Sequence, residues 1–544
     1  MQPFKCSGNI VDIHAREIFP GTVHVKDGRI SRIERNTKPG EDVYILPGLI
    51  DAHIHIESSM LIPSEFARLA VVHGTVASVS DPHEIANVLG IEGIRYMINN
   101  GRKVPFKFYF GASACVPATP FETTGSKIGL EELETLLEMD EIKYLSEMMN
   151  FPGVVRKDPF EMDKLALARK YNKPADGHAP GLRGEEAKKY VEAGISTDHE
   201  CFSLDEALEK ISYGMKIQIR EGSAARNFEA LIDLMKTHSD KVLFCSDDKH
   251  PDELVEGHIN RMVVRAFQKG YDPLEVLRSA ILNPIEHYKL DVGTLRKGDP
   301  ADFIVVNSLE QFRIMKTYIN GILVAEGGKT LIPRVQAEMP NRFEASPIEA
   351  GQLAVSPKGE KMRVITAKDG ELITGTELAE PRVENGSVVS DTERDILKIV
   401  VLNRYKSAPP AVAFIRNFGL KTGAIASSVA HDSHNIVAVG VSDEDIAQAI
   451  NLIISNRGGI SLANGNTSHI LPLPVAGLMS ANDGYQVARQ YHQMDIEARA
   501  LGSTLNAPFM TLSFMALLVI PKLKLSDKGL FDAERFAFTN LFEA

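Results

Sequence analysis

Two histidines one residue apart, His53 and His55, lie in the stretch Pro47-Gly48-Leu49-Ile50-Asp51-Ala52-His53-Ile54-His55-Ile56-Glu57. If residues 49 to 56 form a strand, its period of two puts Asp51, His53 and His55 on one face, and two imidazoles at that spacing can close on one metal ion. A lone His-x-His equally fits a half-buried strand whose imidazoles bond to backbone carbonyls. Residues of the same kind elsewhere bear on the choice. Asp81, Glu147, His178, His199 and Asp247 each end a short apolar run. Singly, each has an ordinary explanation, because a strand-end carboxylate caps the next helix and a strand-end imidazole finds a carbonyl. Four histidines and two acids among them, His53, His55, His178, His199, Glu147 and Asp247, form a set of possible metal ligands that separate accidents would rarely produce.

The elements that would position this set alternate regularly. Apolar runs at 49–56, 75–81, 107–114, 142–147, 174–178, 195–199, 215–221 and 242–247 are each followed by a helical pattern. The helices include 63–73, 84–99, 130–139, 159–171, 184–193, 203–213, 227–238, 257–269 and 273–283. Eight strand–helix pairs in one stretch predict a (β/α)8 barrel, in which the C-terminal strand ends converge on one site. Before the barrel, residues 9–13, 22–26 and 29–34 read as strands with Lys26-Asp27-Gly28-Arg29 as a hairpin turn. Similar runs return at 302–306, 314–319 and 322–324, with Asn320-Gly321 as the turn. The expected division is therefore a small discontinuous β domain (1–46 and 289–344), the barrel inserted in it (47–288), and a C-terminal α/β domain (345–544). In the last, 397–401, 411–414 and 436–441 read as strands and 443–455 and 485–500 as helices.

With 544 residues, 44% hydrophobic and 24% charged, the composition is that of a soluble globular protein of several domains. A net charge of -12 gives no electrostatic reason to bind nucleic acid or anionic membrane, and a small molecule is the expected partner. Four dispersed cysteines (Cys6, Cys115, Cys201, Cys245) indicate neither a disulfide framework nor a structural zinc site. Met1 to Cys6 lacks a signal-peptide pattern, and no run of about 18 apolar residues occurs. These observations point to a cytoplasmic protein.

His-x-His after the first strand, an acid after the fourth, His after the fifth and sixth and Asp after the eighth resemble the amidohydrolase superfamily of metal-dependent hydrolases. So does the enclosing β unit ending in Gly293-Thr294-Leu295-Arg296-Lys297-Gly298-Asp299-Pro300-Ala301-Asp302-Phe303. Ser80-Asp81-Pro82-His83-Glu84-Ile85-Ala86-Asn87-Val88, Asp176-Gly177-His178-Ala179-Pro180-Gly181-Leu182, Thr197-Asp198-His199-Glu200 and Arg220-Glu221-Gly222-Ser223 look like the bacterial and archaeal adenine deaminase family. The likeness extends through residues 345–544, including 427–435.

That resemblance implies that His53, His55 and Asp247 hold one divalent cation and His178 and His199 a second, with Glu147 bridging where many superfamily members carry a carboxylated lysine. It points to manganese or iron(II); zinc is compatible, since imidazole suits all three. Adenine would be deaminated to hypoxanthine by attack of a metal-activated hydroxide on C6, in purine salvage, by a homodimer or larger assembly. Asp247 is the expected base and proton shuttle. For the acid that protonates the ring, Glu84, Glu200 and Glu147 are candidates in that order, with a helix-capping role open for Glu84. His83, Arg220, Glu221 and Ser223 are the expected contacts to the base, although an Arg–Glu ion pair bracing the rim would also account for Arg220 and Glu221. Asp248-Lys249-His250 fits a pocket wall or a surface loop. His431-Asp432-Ser433-His434-Asn435 fits a lid over the barrel mouth, an extra ligand set or a solvated turn. Competing readings are another ring deaminase or a cyclic amidohydrolase (cytosine, guanine, dihydroorotate), a noncatalytic barrel scaffold, and a catalytic barrel with a regulatory C-terminal domain.

Overall fold

The computed structural model describes residues 2–36 and 42–543; residues 1 and 37–41 of the expected β unit and residue 544 lie outside the described residues. At its centre are eight parallel strands: β1 (Leu49–Ile54), β2 (Thr75–Ser80), β3 (Lys107–Ala112), β4 (Ile142–Met148), β5 (Ala175–Gly177), β6 (Thr197–Asp198), β7 (Lys216–Arg220) and β8 (Val242–Cys245). β1 to β5 pair in order into one sheet and β6 to β8 into another. Two isolated parallel bridges join them into a ring, Ala175 with Ile195 between β5 and β6, and Ile54 with Asp247 between β1 and the end of β8. At the second seam Asp247 N donates to His53 O (2.9 Å) and His55 N to Asp247 O (3.2 Å). The result is the closed (β/α)8 barrel expected from the sequence.

Apolar runs become barrel strands because both faces are covered: every residue of β1 and β2 is buried. At the entry to β1 a Cβ on Gly48 would collide with the Val76 side chain, so close approach of β1 to β2 requires glycine there. The outer helices present one apolar stripe. In Ile259–Gln268 the buried residues Ile259, Met262, Val263 and Ala266 follow the helical period. The expected helix 84–99 is two helices, His83–Leu89 and Ile91–Gly101, because Gly90 adopts φ 63°, ψ -144°, which no helix propagates.

Strands on either side of the barrel in sequence share one sheet of eight, in which Tyr44–Pro47 pairs antiparallel with Phe303–Val306. Its three tight hairpins have positive φ at Asp27 and Gly28, at Asn320 and Gly321, and at Gly327 and Gly328, as type I′ turns demand. The C-terminal portion is a second eight-stranded sheet that includes Ile396–Leu402, Ala411–Arg416 and Ile436–Gly440, with Asp443–Asn456 packed against it and Gly484–Ala500 the longer helix. Strands Met362–Thr366, Gly375–Ala379, Ala424–Ser427, Gly459–Asn464 and Thr467–Pro472 complete that sheet and were not apparent from periodicity. This portion docks on the barrel mouth: Leu61 bridges Ser480, and Arg68 Nη1 pairs with Asp483 Oδ2 at 2.9 Å. Among the described residues no helix is long and apolar enough to cross a membrane.

Candidate active site

β1 delivers its histidines to the end of the barrel. Asp51, on the same face, is taken up by the scaffold, accepting from Ser246 N (3.0 Å) and paired with His258 Nε2 (2.7 Å). His53 is fully buried, stacks on His199 (centroids 4.3 Å apart, 19° between planes), and makes no hydrogen bond from either ring nitrogen. His55 Nδ1 lies 3.1 Å from the Asp81 carbonyl, which can only accept. Nδ1 therefore carries a proton, and Nε2 faces Glu147 Oε1 and Asp247 Oδ1, both at 3.3 Å.

From β4 comes Glu147, whose carboxylate separates two groups of imidazoles. Oε1 faces His55; Oε2 lies 2.8 Å from His178 Nδ1 and 3.5 Å from His199 Nε2. Asp247 Oδ1 also stands 3.5 Å from His53 Nε2. Ligand-type atoms of His53, His55 and Asp247, of His53, Glu147 and His199, and of His178, His199 and Glu200 each lie within 4.8 Å of one another. Buried nitrogens without partners are costly, and His53 Nδ1 and Nε2 and His199 Nδ1 are three such atoms in this small space. A divalent cation beside Asp247 would satisfy one ring nitrogen of His53, so the residues fit the metal that the donor set calls for.

The electrostatics agree. Burial opposes ionisation of Glu147, yet the His178 hydrogen bond and the His55 and His199 imidazoles outweigh it and hold the carboxyl well below its usual range. At Asp247 burial is likewise outweighed, first by the Arg220 guanidinium and then by His53 and His55. Burial pushes the His199 imidazole down, but Glu200, Asp247 and Glu147 raise it to about 9. A field that retains a proton against burial would also hold a cation, which would displace that proton.

Arg220, at the end of β7, lines the cavity, but its terminal nitrogens are occupied. Nη1 donates to Glu200 Oε1 (2.5 Å) and Asp247 Oδ2 (2.6 Å), and Nη2 to Glu200 Oε2 (2.8 Å). Arg220 thus anchors two acids rather than offering a free fork to a base. Glu200, expected as a candidate proton donor, is held on both carboxylate oxygens by Arg220; despite burial, Arg220 and the His178 and His199 imidazoles lower its carboxyl far below its usual range. Glu221 and Ser223 are not brought to the cavity. Glu221 pairs with Arg265 (2.5 Å), and Ser223 Oγ donates to Glu253 (3.0 Å). The alternation of β7 explains this, since the residue after an inward Arg220 points the other way.

The roof is C-terminal. Leu372, His431, Asp432, Phe514, Leu517 and Ile520 close over His83, Glu84, Met149 and Asp248, leaving a narrow cavity of about 30 Å³. Residues 431–435 are all buried, so the solvated-turn reading is overturned. His83 Nδ1 lies 3.0 Å from Asp81 Oδ2, and its Nε2 lies 3.3 Å from Glu84 Oε1. Glu84 does sit in the first turn of its helix, but no cap bond forms; its oxygens meet His431 and His434 instead. Of the 248–250 cluster only Asp248 lines the cavity, accepting from Ser58 Oγ at 2.5 Å. The apolar roof residues carried no sequence signal, whereas the polar density of 431–435 did.

Comparison with known proteins places this geometry. Residues 44–324 match the amidohydrolase family model and residues 371–537 the adenine deaminase C-terminal domain. The adenine deaminase of Salinibacter ruber is 55% identical over 544 residues, 99% of each chain. That of a Sulfurovum species is 57% identical over 535 residues (98% of this chain, 99% of the other), and that of Methanosarcina mazei 54% over 551 (99% of each). The chain belongs to the adenine deaminase family of amidohydrolases.

Proposed function

We propose that this chain hydrolyses adenine at C6, giving hypoxanthine and ammonia in purine salvage. The observation that most supports the reading is the Glu147 carboxylate, with His55 on one oxygen and His178 and His199 on the other, in a member of the adenine deaminase family. His53, His55 and Asp247 would hold one divalent ion and His178 and His199 a second, with Glu147 shared; manganese or iron(II) is favoured and zinc is compatible. When bound, such ions supply Lewis-acid chemistry that makes water a nucleophile near neutral pH.

The chain's own groups do the rest. Asp247, steadied through Oδ2 by Arg220, takes a proton from the attacking water and passes it to the exocyclic amine as the C6–O bond forms and the C6–N bond breaks. Glu84 relays to the ring nitrogen the proton it shares with His431, and His83 contacts the base from between Asp81 and Glu84. Met149, Leu372, Phe514, Leu517 and Ile520 cover the purine and exclude water. The protein acts in the cytoplasm on a free base, as a homodimer or larger assembly.

The test is ammonia release from adenine, adenosine, guanine and cytosine by protein stripped of metal and reloaded with manganese. Activity on adenine alone, rising until two ions are bound per chain, is expected. Activity on another base overturns the substrate, and full activity in the stripped protein overturns the metal reading.

A further inference from the structure

Glu84 is 2% exposed, and both of its carboxylate oxygens are met by imidazoles from the C-terminal portion: His431 Nδ1 at Oε1 and His434 Nε2 at Oε2, across sequence separations of 347 and 350 residues. The backbone sets one tautomer. Ala430 N–H donates to His434 Nδ1 (3.3 Å), so that nitrogen carries a lone pair and Nε2 carries the proton given to Glu84. His431 is held as a plane, stacked on Phe514 at 4.4 Å and 12°, while its backbone N–H donates to Ser513 O (2.9 Å). The loop itself is pinned, with Tyr405 Oη donating to Ser433 O (2.7 Å) and Asn435 Nδ2 to Thr123 O (2.9 Å). On the barrel side His83 Nε2, at 3.3 Å, approaches the same carboxylate. A glutamate side chain has several rotamers to lose, and two fixed donors select one of them.

We propose that His431 and His434 are positioning residues of the reaction, through which the C-terminal portion completes the barrel's active site by fixing the Glu84 carboxylate toward the substrate cavity. This rests on Glu84 as the carrier of the ring proton. Burial lowers His431, but Glu84 raises it to about 9, while burial of Glu84 is outweighed by His431, His83 and His434, so at rest the proton sits on His431 and Glu84 relays it to the ring. The pair therefore keeps one proton between them near neutral pH.

The test exploits the different nitrogens used. Asparagine places its amide nitrogen where a histidine Nδ1 lies, and glutamine where Nε2 lies. In full-length, metal-loaded protein, His431→Ala and His434→Ala should each lower kcat about 10- to 100-fold, as for other residues that orient a site's groups, with unchanged metal content and KM within about threefold. His431→Asn and His434→Gln should recover most of the activity; the exchanged pair, His431→Gln and His434→Asn, should not. That crossing pattern stands on folded polar variants even where an alanine variant is unstable. In a Glu84→Gln background, His434→Ala should add less than about twofold, because its effect runs through Glu84.

Unchanged kcat in both alanine variants, equal activity of both amides at each position, or a full additive loss in the Glu84→Gln background overturns the proposal. Glu84→Gln alone separates this inference from the reading beneath it. If that variant is fully active, the ring-proton role of Glu84 fails. If it is inactive while the histidine variants are not, only the positioning role fails.

Discussion

Replacing Arg220 with methionine tests whether this residue anchors acids or reads the substrate. The side chain is fully buried against Glu200 and Asp247, with three nitrogen–oxygen contacts of 2.5, 2.6 and 2.8 Å. At an effective dielectric of about 20, unit charges about 2.6 Å apart attract by roughly 6 kcal/mol, an upper bound per acid. Desolvation cancels much of that, and breaking a buried ion pair costs about 3–5 kcal/mol because the surviving charges are left uncompensated. If about 2–4 kcal/mol of this is expressed in the transition state through a displaced Asp247, kcat/KM falls roughly 30- to 1,000-fold. The loss should fall on kcat, with KM for adenine nearly unchanged, since the guanidinium does not hold the base. Arg220→Lys should recover only part, because one ammonium cannot serve two acids as a planar fork does. The assay is steady-state ammonia release at matched metal content. A tenfold or greater rise in KM at undiminished kcat would refute the anchoring role and return Arg220 to the purine edge.

Glu221→Gln should leave kcat and KM within about twofold and cost no more than about 1 kcal/mol, since it removes only a partly exposed pair with Arg265; a large KM effect would place Glu221 at the substrate after all. Burial raises Glu122 from 4.5 to about 8, with the Asp432 charge adding to it and the Thr119 hydroxyl (3.1 Å) only partly offsetting it. Its folded-state pKa lies above the unfolded one, so its stabilising contribution is full below about pH 4.5 and is lost as pH rises through about 8, amounting to a few kcal/mol over that window. Glu122→Gln should flatten this dependence, read as the first urea midpoint at pH 5 against pH 8.5; an identical slope in the variant would contradict it.

The barrel and the strand-end residues were legible because parallel strands buried on both faces leave continuous apolar runs, and a closed barrel brings their ends together. His53, Glu147, His178, His199 and Asp247 needed no knowledge of the loops. Where the loops decide, the sequence was a poorer guide. Glu221 and Ser223 share a motif with Arg220, but strand alternation and a partner in Arg265 or Glu253 take them elsewhere. Glu200 looks like a free acid until Arg220 is seen to hold it on both oxygens. The roof was the least legible part: Leu372, Phe514, Leu517 and Ile520 are ordinary apolar residues whose function comes only from docking one portion of the chain on another. His431 and His434 announced themselves by composition, but nothing local indicated Glu84 as their partner.

The barrel ring is weakest at two places, where single bridges replace ladders: between β1 and β8, and between β5 and β6. These are the seams that the ligand set straddles. His53 and His55 face Asp247 across one, His178 faces His199 across the other, and Glu147 spans the interior between them. Cation loading would therefore act as a hoop tension on the barrel, drawing together staves that the backbone alone ties loosely. Amide hydrogen exchange at residues 53–55, 175–178, 195–199 and 245–247 should slow with metal loading more than exchange in the continuous β2–β3 ladder.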